Sequence, residues 1–300
     1  MFGATVDYWL LKRLAHARNR ATEEELDREG STSLLPGQEG SKLPKLLERF
    51  DGHFPIAPGL RYLDMGCGSG ELTLELAGKV GGNVTGVDYL PRFVEAARRQ
   101  ARAAGLDDAV RFHCADLHTW VPPHPFDVVF SFDALEHIDN PGAFLRRMSD
   151  FVAPGGVAAV CFGPMFHSPF GDHMGEFFRV QVPWRGILFS ERAVMRVRRE
   201  FYRPTDPAQR YREVAGGLNL MRYSDFLAHA RETGWQFRYL RANAFLRNRA
   251  LRRLSDTICN LPRVRDYFVH NVYAVMERSA VALAANDAAE APSAAQKLAA

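Results

Sequence analysis

The stretch Leu63-Asp64-Met65-Gly66-Cys67-Gly68-Ser69-Gly70 sets an acid just ahead of three glycines spaced GxGxG. Glycines at that spacing suit a tight strand-to-helix turn whose free backbone N–H groups let a ligand approach closely. Dinucleotide sites need GxGxxG instead, and Asp64 stands where a pyrophosphate would be repelled. The turn is therefore suited to a cofactor without phosphate. Further acids close the next apolar runs: Asp88 after VTGV, Asp116 after RFHCA and Asp133 after FDVVFSF. Carboxylates in such places accept hydrogen bonds from hydroxyl and amino groups.

These residues need a frame that brings the ends of several strands to one edge. LRYLDM, NVTGVD, AVRFHC, FDVVFSF and GVAAVCF are short, β-rich and bounded by Gly, Pro or Asp, so each reads as a buried strand. Between them ELTLELAG, PRFVEAARRQARAAG and NPGAFLRRMSDFV read as helices, the second opened by Pro91 and stopped by Gly105. Alternation at this spacing predicts right-handed crossovers and a doubly wound, mostly parallel α/β sheet. After a long break, SDFLAHARETG is expected as a helix with Ser224 as N-cap and Gly234 as stop, then a strand WQFRYLRA and a last apolar run YFVHNVYAVMER.

The acid-GxGxG turn with acids at successive strand ends resembles the class I S-adenosylmethionine-dependent methyltransferases, in their small-molecule branch. The likeness covers residues 60–162 well and 224–242 and 267–277 more loosely. It implies a Rossmann-like seven-stranded sheet that binds S-adenosylmethionine. By that resemblance Asp64, Gly66, Cys67, Gly68 and Gly70 form the cofactor loop, and Asp88 with Tyr89 meets the ribose hydroxyls. Asp116 with Leu117 meets the adenine, and Asp133 closes the pocket. A methyltransferase domain is expected over 59–279, behind a helical N-terminal lid at 1–58 and ahead of a disordered Ala-rich tail at 280–300. Insertions are placed at 163–223 and 244–262.

Methyl transfer is an in-line displacement that asks mainly for alignment and exclusion of water, although a hydroxyl acceptor must also lose a proton. His137, in Leu-Glu-His-Ile just past the fourth strand, is the first candidate for the base, as in similar O-methyltransferases; otherwise Glu136-His137 caps the following helix. His173 and His167 are second choices. They lie in the 163–223 insertion among Phe166, Phe170, Phe177, Phe178 and Trp184, aromatics that suit an acceptor-holding wall. Asp172 beside His173 is the one acid near them, too little for a metal site, and none is expected. SERAVMRVRREFYR reads as a helix capped by Ser190, with Val194, Val197 and Phe201 on one face and Arg192, Arg196, Arg199 and Arg203 on the other.

The 300 residues, 47% hydrophobic with 24 Gly, 17 Pro and four scattered cysteines, exclude collagen-like, wholly disordered and disulfide-scaffold classes. The opening MFGATVDYWLLKRLAHAR has too short an apolar run for a signal peptide, and no window suits a membrane span, so a cytoplasmic protein is expected. Tyr8, Trp9, Leu10 and Leu14 are spaced for one apolar helix face. Net charge is +3, yet residues 176–266 hold 19 Arg and no Lys against 9 acids. Such a surplus suits a solvated face or an anionic partner. A base methylase is disfavoured because Ser131-Phe132-Asp133-Ala134 replaces the Pro-Pro-aromatic sequence after the fourth strand. The expected function is O-methylation of a small-molecule acceptor such as a sugar or polyketide, with no nucleic acid; a homodimer remains open. Quinone or lipid methylation and a silent cofactor-binding protein are the rivals.

Overall fold

The computed structural model describes residues 4–15, 41–214, 217–244, 252–262 and 264–279. The polar stretch REGSTSLLPGQEG, residues 245–251 of the second expected insertion and the tail from 280 lie outside the described residues. Seven strands form one sheet: β1 Tyr62–Met65, β2 Val84–Asp88, β3 Val110–Cys114, β4 Phe126–Phe132, β5 Val152–Phe162, β6 Trp235–Ala244 and β7 Val269–Arg278. Their order is β3-β2-β1-β4-β5-β7-β6. The first five are parallel, and β7 runs antiparallel between β5 and β6. Helices cover both faces, which is why β1 and most of β4 are buried along their length rather than alternating.

The helices are α1 Ala4–Leu14, α2 Leu43–Arg49, α3 Glu71–Val80, α4 Pro91–Ala104, α5 Pro141–Phe151, α6 Arg185–Leu188, α7 Glu191–Phe201, α8 Tyr223–Glu232 and α9 Arg252–Asn260. One core lies between the sheet and α5 with α8, and a second between the sheet and α2, α3 and α4. In α4, Val94, Ala97 and Ala101 recur at helical spacing and are buried, Pro91 starts the helix and Gly105 ends it in the left-handed region at φ 65°. The winding reverses between β1 and β4, so a crevice opens at the carboxyl ends of these two strands.

A third core belongs to the segment between β5 and α8, joined by α1. Phe177 and Phe178 are buried there with Val194, Val197 and Tyr202, so these aromatics build the insertion's own interior rather than a wall for an acceptor. Tyr8 and Leu11 of α1 pack into it, whereas Trp9 and Leu10 are exposed, contrary to the single apolar face expected. The helix turns its Tyr8 face to α7 because Asp7, Tyr8 and Arg196 find partners there: Asp7 Oδ2 accepts the Ser190 N–H at 2.8 Å, Tyr8 donates to Glu200, and Arg196 lies 3.8 Å over the Tyr8 ring.

Two caps differ from expectation for one reason, an acid remote in sequence. Ser190 does precede α7, but its hydroxyl makes no cap bond and Asp7 holds its backbone instead. Helix α8 starts from Arg222, and Ser224 lies in the first turn, where its N–H and hydroxyl donate to Asp266 at 2.8 and 2.6 Å. Those bonds satisfy a donor that a local cap would otherwise serve.

Candidate functional site

The loop after β1 is tied to β2 before any ligand is considered. Gly66 and Cys67 donate their N–H groups to the Val87 carbonyl at 2.8 and 3.1 Å, and Gly68 donates to Asp88 Oδ2 at 2.9 Å. Asp88 Oδ1 accepts the Leu90 N–H at 2.9 Å, so each oxygen of this buried carboxylate holds one backbone donor and keeps further acceptor capacity. Gly70 sits at φ +82°, and a Cβ there would lie 2.8 Å from the Phe112 ring. Gly68, at φ +52°, would meet nothing within 4 Å, which leaves an open cradle of backbone at the crevice. Tyr89, next to Asp88, is exposed, and Cys67 is half-buried with its thiol pushed up by burial beside Asp64 and Asp88.

Asp64 is buried at the end of β1 and accepts the Thr73 hydroxyl at 2.6 Å. Burial raises its carboxyl to about 7, against the Thr73 bond and with help from the Asp88 charge. Thr73, on α3, is a partner that motif reading passes over, since a threonine in a helix carries no signal of its own. Asp116 follows β3 on the exposed side, its Oδ1 accepting the His118 N–H at 2.8 Å, and Leu117 packs half-buried against the first core. Asp133 is exposed at φ 52°, its N–H donating to the Cys161 carbonyl at 2.8 Å. This edge thus offers carboxylate acceptors and no basic residue in the glycine turn, whose Gly66, Cys67, Gly68 and Gly70 N–H groups are already spent within the chain rather than free as the motif suggested. That fits a diol- and amine-bearing nucleoside and does not fit a phosphate.

Beyond β4 the chain makes a 3-10 turn, Leu135–His137. Neither Glu136 nor His137 caps α5: that role falls to Asn140, whose Oδ1 accepts the Ala143 N–H at 3.0 Å. His137 and His173 meet edge to face with ring centroids 5.7 Å apart. His173 Nε2 donates to the Pro164 carbonyl at 2.9 Å, and burial lowers its pKa, so its imidazole is neutral near pH 7. His137 Nδ1 lies 3.4 Å from the Gly217 carbonyl, a contact that favours the tautomer with Nδ1–H and leaves Nε2 with a lone pair. His167 is held apart from the pair's contact, packed by Phe166 and Tyr267, with its pKa lowered by burial and by Arg222. Asp172 points to Arg185, two buried side chains joined at 2.7 Å by both oxygens, and is committed there. Among the described residues no group of three His, Cys, Asp or Glu could hold a metal ion.

Two residues organise this end: Asn219, which the sequence reading did not single out, and Glu136, which it named only as a cap with His137. Asn219 donates to the Leu135 and Ile138 carbonyls at 2.7 and 2.8 Å, which locks the 3-10 turn to the returning insertion. Glu136 is buried, its Oε1 accepting the Gly163 N–H at 2.9 Å, and burial raises its carboxyl to about 7. No local pattern marks Asn219, because its partners lie some eighty residues away.

Residues 63–156 match the family model of a methyltransferase domain. The chain is 29% identical over 192 residues to the 27-O-demethylrifamycin SV methyltransferase of Amycolatopsis mediterranei, covering 63% of this chain and 59% of that protein. It is 38% identical over 102 residues to a ubiquinone biosynthesis O-methyltransferase of a Caulobacter species, covering 34% of this chain and 40% of the relative. It thus spans about half the length of the curated relatives it matches. In fold it is similar to an S-adenosylmethionine-dependent methyltransferase structure from Mesorhizobium loti, with TM-score 0.51, 18% identity and coverage of 80% of this chain and 99% of the other. No helix among the described residues is long and apolar enough to cross a membrane.

Proposed function

Because the chain belongs to the class I S-adenosylmethionine-dependent methyltransferases, we propose that it methylates a hydroxyl of a small-molecule acceptor, with His137 as the base. Asp88 carries the cofactor half of this reading. Its two oxygens are fixed by one backbone donor each and keep room for one more, as the paired hydroxyls of a ribose require. Asp64 and the Gly66-Cys67-Gly68-Ser69-Gly70 backbone would hold the adjoining amino-acid portion, with Asp116 and Leu117 at the base, Tyr89 over the ribose edge and Asp133 closing the cleft.

The bound cofactor supplies an electrophilic methyl on a sulfonium. The acceptor half rests on the end of β4, where His137 stands beside His173. His137 Nε2 would take the proton of the acceptor hydroxyl, and its imidazole would then carry the positive charge. His173, neutral and anchored to Pro164, buttresses the His137 ring rather than competing for that proton. The insertion closes over this edge through Gly217 and Asn219 and limits access of water. Two relatives named for O-methylation support the hydroxyl as acceptor. We place the protein in the cytoplasm, as no two of its four cysteines form a disulfide.

Calorimetric titration with S-adenosylmethionine and with NAD tests the reading. Binding of the first and not the second is expected; uptake of NAD alone would overturn it.

A further inference from the structure

A narrow recess opens where the turn after β4 meets the segment 218–221. Met165, Phe166, Leu218 and Met221 give it apolar walls, and Glu136 and Asn219 are its polar lining. The Asn219 side chain is committed in full: Nδ2 donates to two carbonyls and Oδ1 accepts the Met221 N–H at 2.9 Å. Glu136 is different. The residue is 5% exposed and spends Oε1 on the Gly163 N–H, while its Oε2 is buried with no partner. A buried carboxylate oxygen without a donor is costly, so a donor belonging to whatever enters the recess is called for. The space suits one water-sized group. Gly163 follows β5 and His137 follows Glu136 in the same turn, so the recess lies at the sheet edge where the acceptor is placed.

We infer that Glu136 Oε2 receives a second hydroxyl of the methyl acceptor, one that is not methylated, so the acceptor class is a polyhydroxylated molecule with an apolar body. This rests on the methyltransferase reading above. A hydroxyl donates into Oε2 and favours the ionised carboxylate, whereas an ether or ketone at that position leaves two acceptors facing one another in a dry pocket. The discrimination therefore comes from one oxygen atom of the protein.

Phenol and anisole test it, since they share a ring and differ in that a methyl replaces the hydroxyl hydrogen through which Oε2 would accept a hydrogen bond. The full chain is first saturated with S-adenosylhomocysteine at pH 8.5, where the carboxylate is ionised, and each probe is then titrated. We expect phenol to bind at least 10-fold tighter than anisole, and Glu136→Gln, whose amide keeps the Gly163 bond but turns an N–H2 into the recess, to erase or reverse that preference. Equal binding, binding of neither probe, or a phenol preference that survives in Glu136→Gln overturns the inference and assigns the recess to a structural water. Should Glu136→Gln melt early, Leu218→Phe narrows the recess from another wall and is expected to weaken phenol at least 10-fold; unchanged affinity overturns the inference equally. No heat with S-adenosylhomocysteine sinks the methyltransferase reading and this inference with it. Normal heat without a phenol preference sinks this inference alone.

Discussion

Gly68 donates its backbone N–H to Asp88 Oδ2 at 2.9 Å, which joins the glycine turn after the first strand and the acid after the second into one rigid unit. The acid is therefore placed and oriented before any cofactor arrives, and binding need not order it. Replacing Asp88 with Ala removes both the ribose acceptor and the brace of the loop. S-adenosylhomocysteine affinity should fall about 100-fold, roughly 3 kcal/mol for two hydrogen bonds to a charged group. Calorimetry reads the loss, and a change of under fivefold would remove Asp88 from the site.

His137→Ala should cost on the order of 100-fold or more in turnover while S-adenosylhomocysteine affinity stays within about twofold. His173→Ala, which leaves the base but removes its buttress, should cost less, on the order of tenfold. Single-turnover rates at saturating cofactor separate the two. A near-normal rate for His137→Ala excludes it as the base.

At Gly70, φ +82° and the 2.8 Å approach to Phe112 act together. Gly70→Ala should lower unfolding free energy by about 1–3 kcal/mol. Adding Phe112→Leu should restore only the part due to that ring, leaving the backbone part and the clash with Ala97 Cβ at 2.9 Å. Urea melts of the two variants give the partition, and a neutral Gly70→Ala would show that the turn adjusts freely.

The pair Asp172–Arg185 is buried on both sides, and the guanidinium also lies 4.0 Å over the Phe178 ring. Asp172→Ala strands a buried cation and should cost about 3–5 kcal/mol. The double change Asp172→Leu with Arg185→Met removes both charges and should cost clearly less. If both variants melt alike, the ion pair is not what holds the insertion.

Asp64 and Glu136 are both raised to about 7 in the folded chain, against about 4 for carboxyls in an unfolded one. Between those values the folded state holds more protons than the unfolded state, so each group makes stability fall as pH rises from about 4 to about 7, then level off. His167 and His173, with lowered pKa values, tilt the opposite way below about 6.5. Asp64→Asn isolates one carboxyl. The difference between the apo wild type and this variant should move by up to about 1.4 kcal/mol per pH unit inside the window. A pH-independent difference in urea midpoints would show that Asp64 is ionised throughout.

The strands themselves, the glycine turn and the terminal acids were legible because they depend on residues close in sequence, whereas the order of the strands in the sheet came only from the fold. A buried parallel strand must be a short apolar run, and a turn that leaves room for a ligand must be glycine at Gly68 and Gly70, so the pattern is written locally. Local writing also explains Pro91 and Gly105 at the ends of α4. What folding alone decided rests on partners far along the chain. Asp266 took over the start of α8 from Ser224, Asp7 held Ser190, and Asn219 locked the turn that carries His137. The same distance made His137 and His173 neighbours and left His167 elsewhere. The glutamate beside His137 is the sharpest case: its residue type says only that it is acidic, and burial with one unpaired oxygen comes from the walls that the insertion brings over it. Charge and hydrogen-bond capacity travel with the residue, but desolvation is conferred by neighbours that only the folded chain assembles.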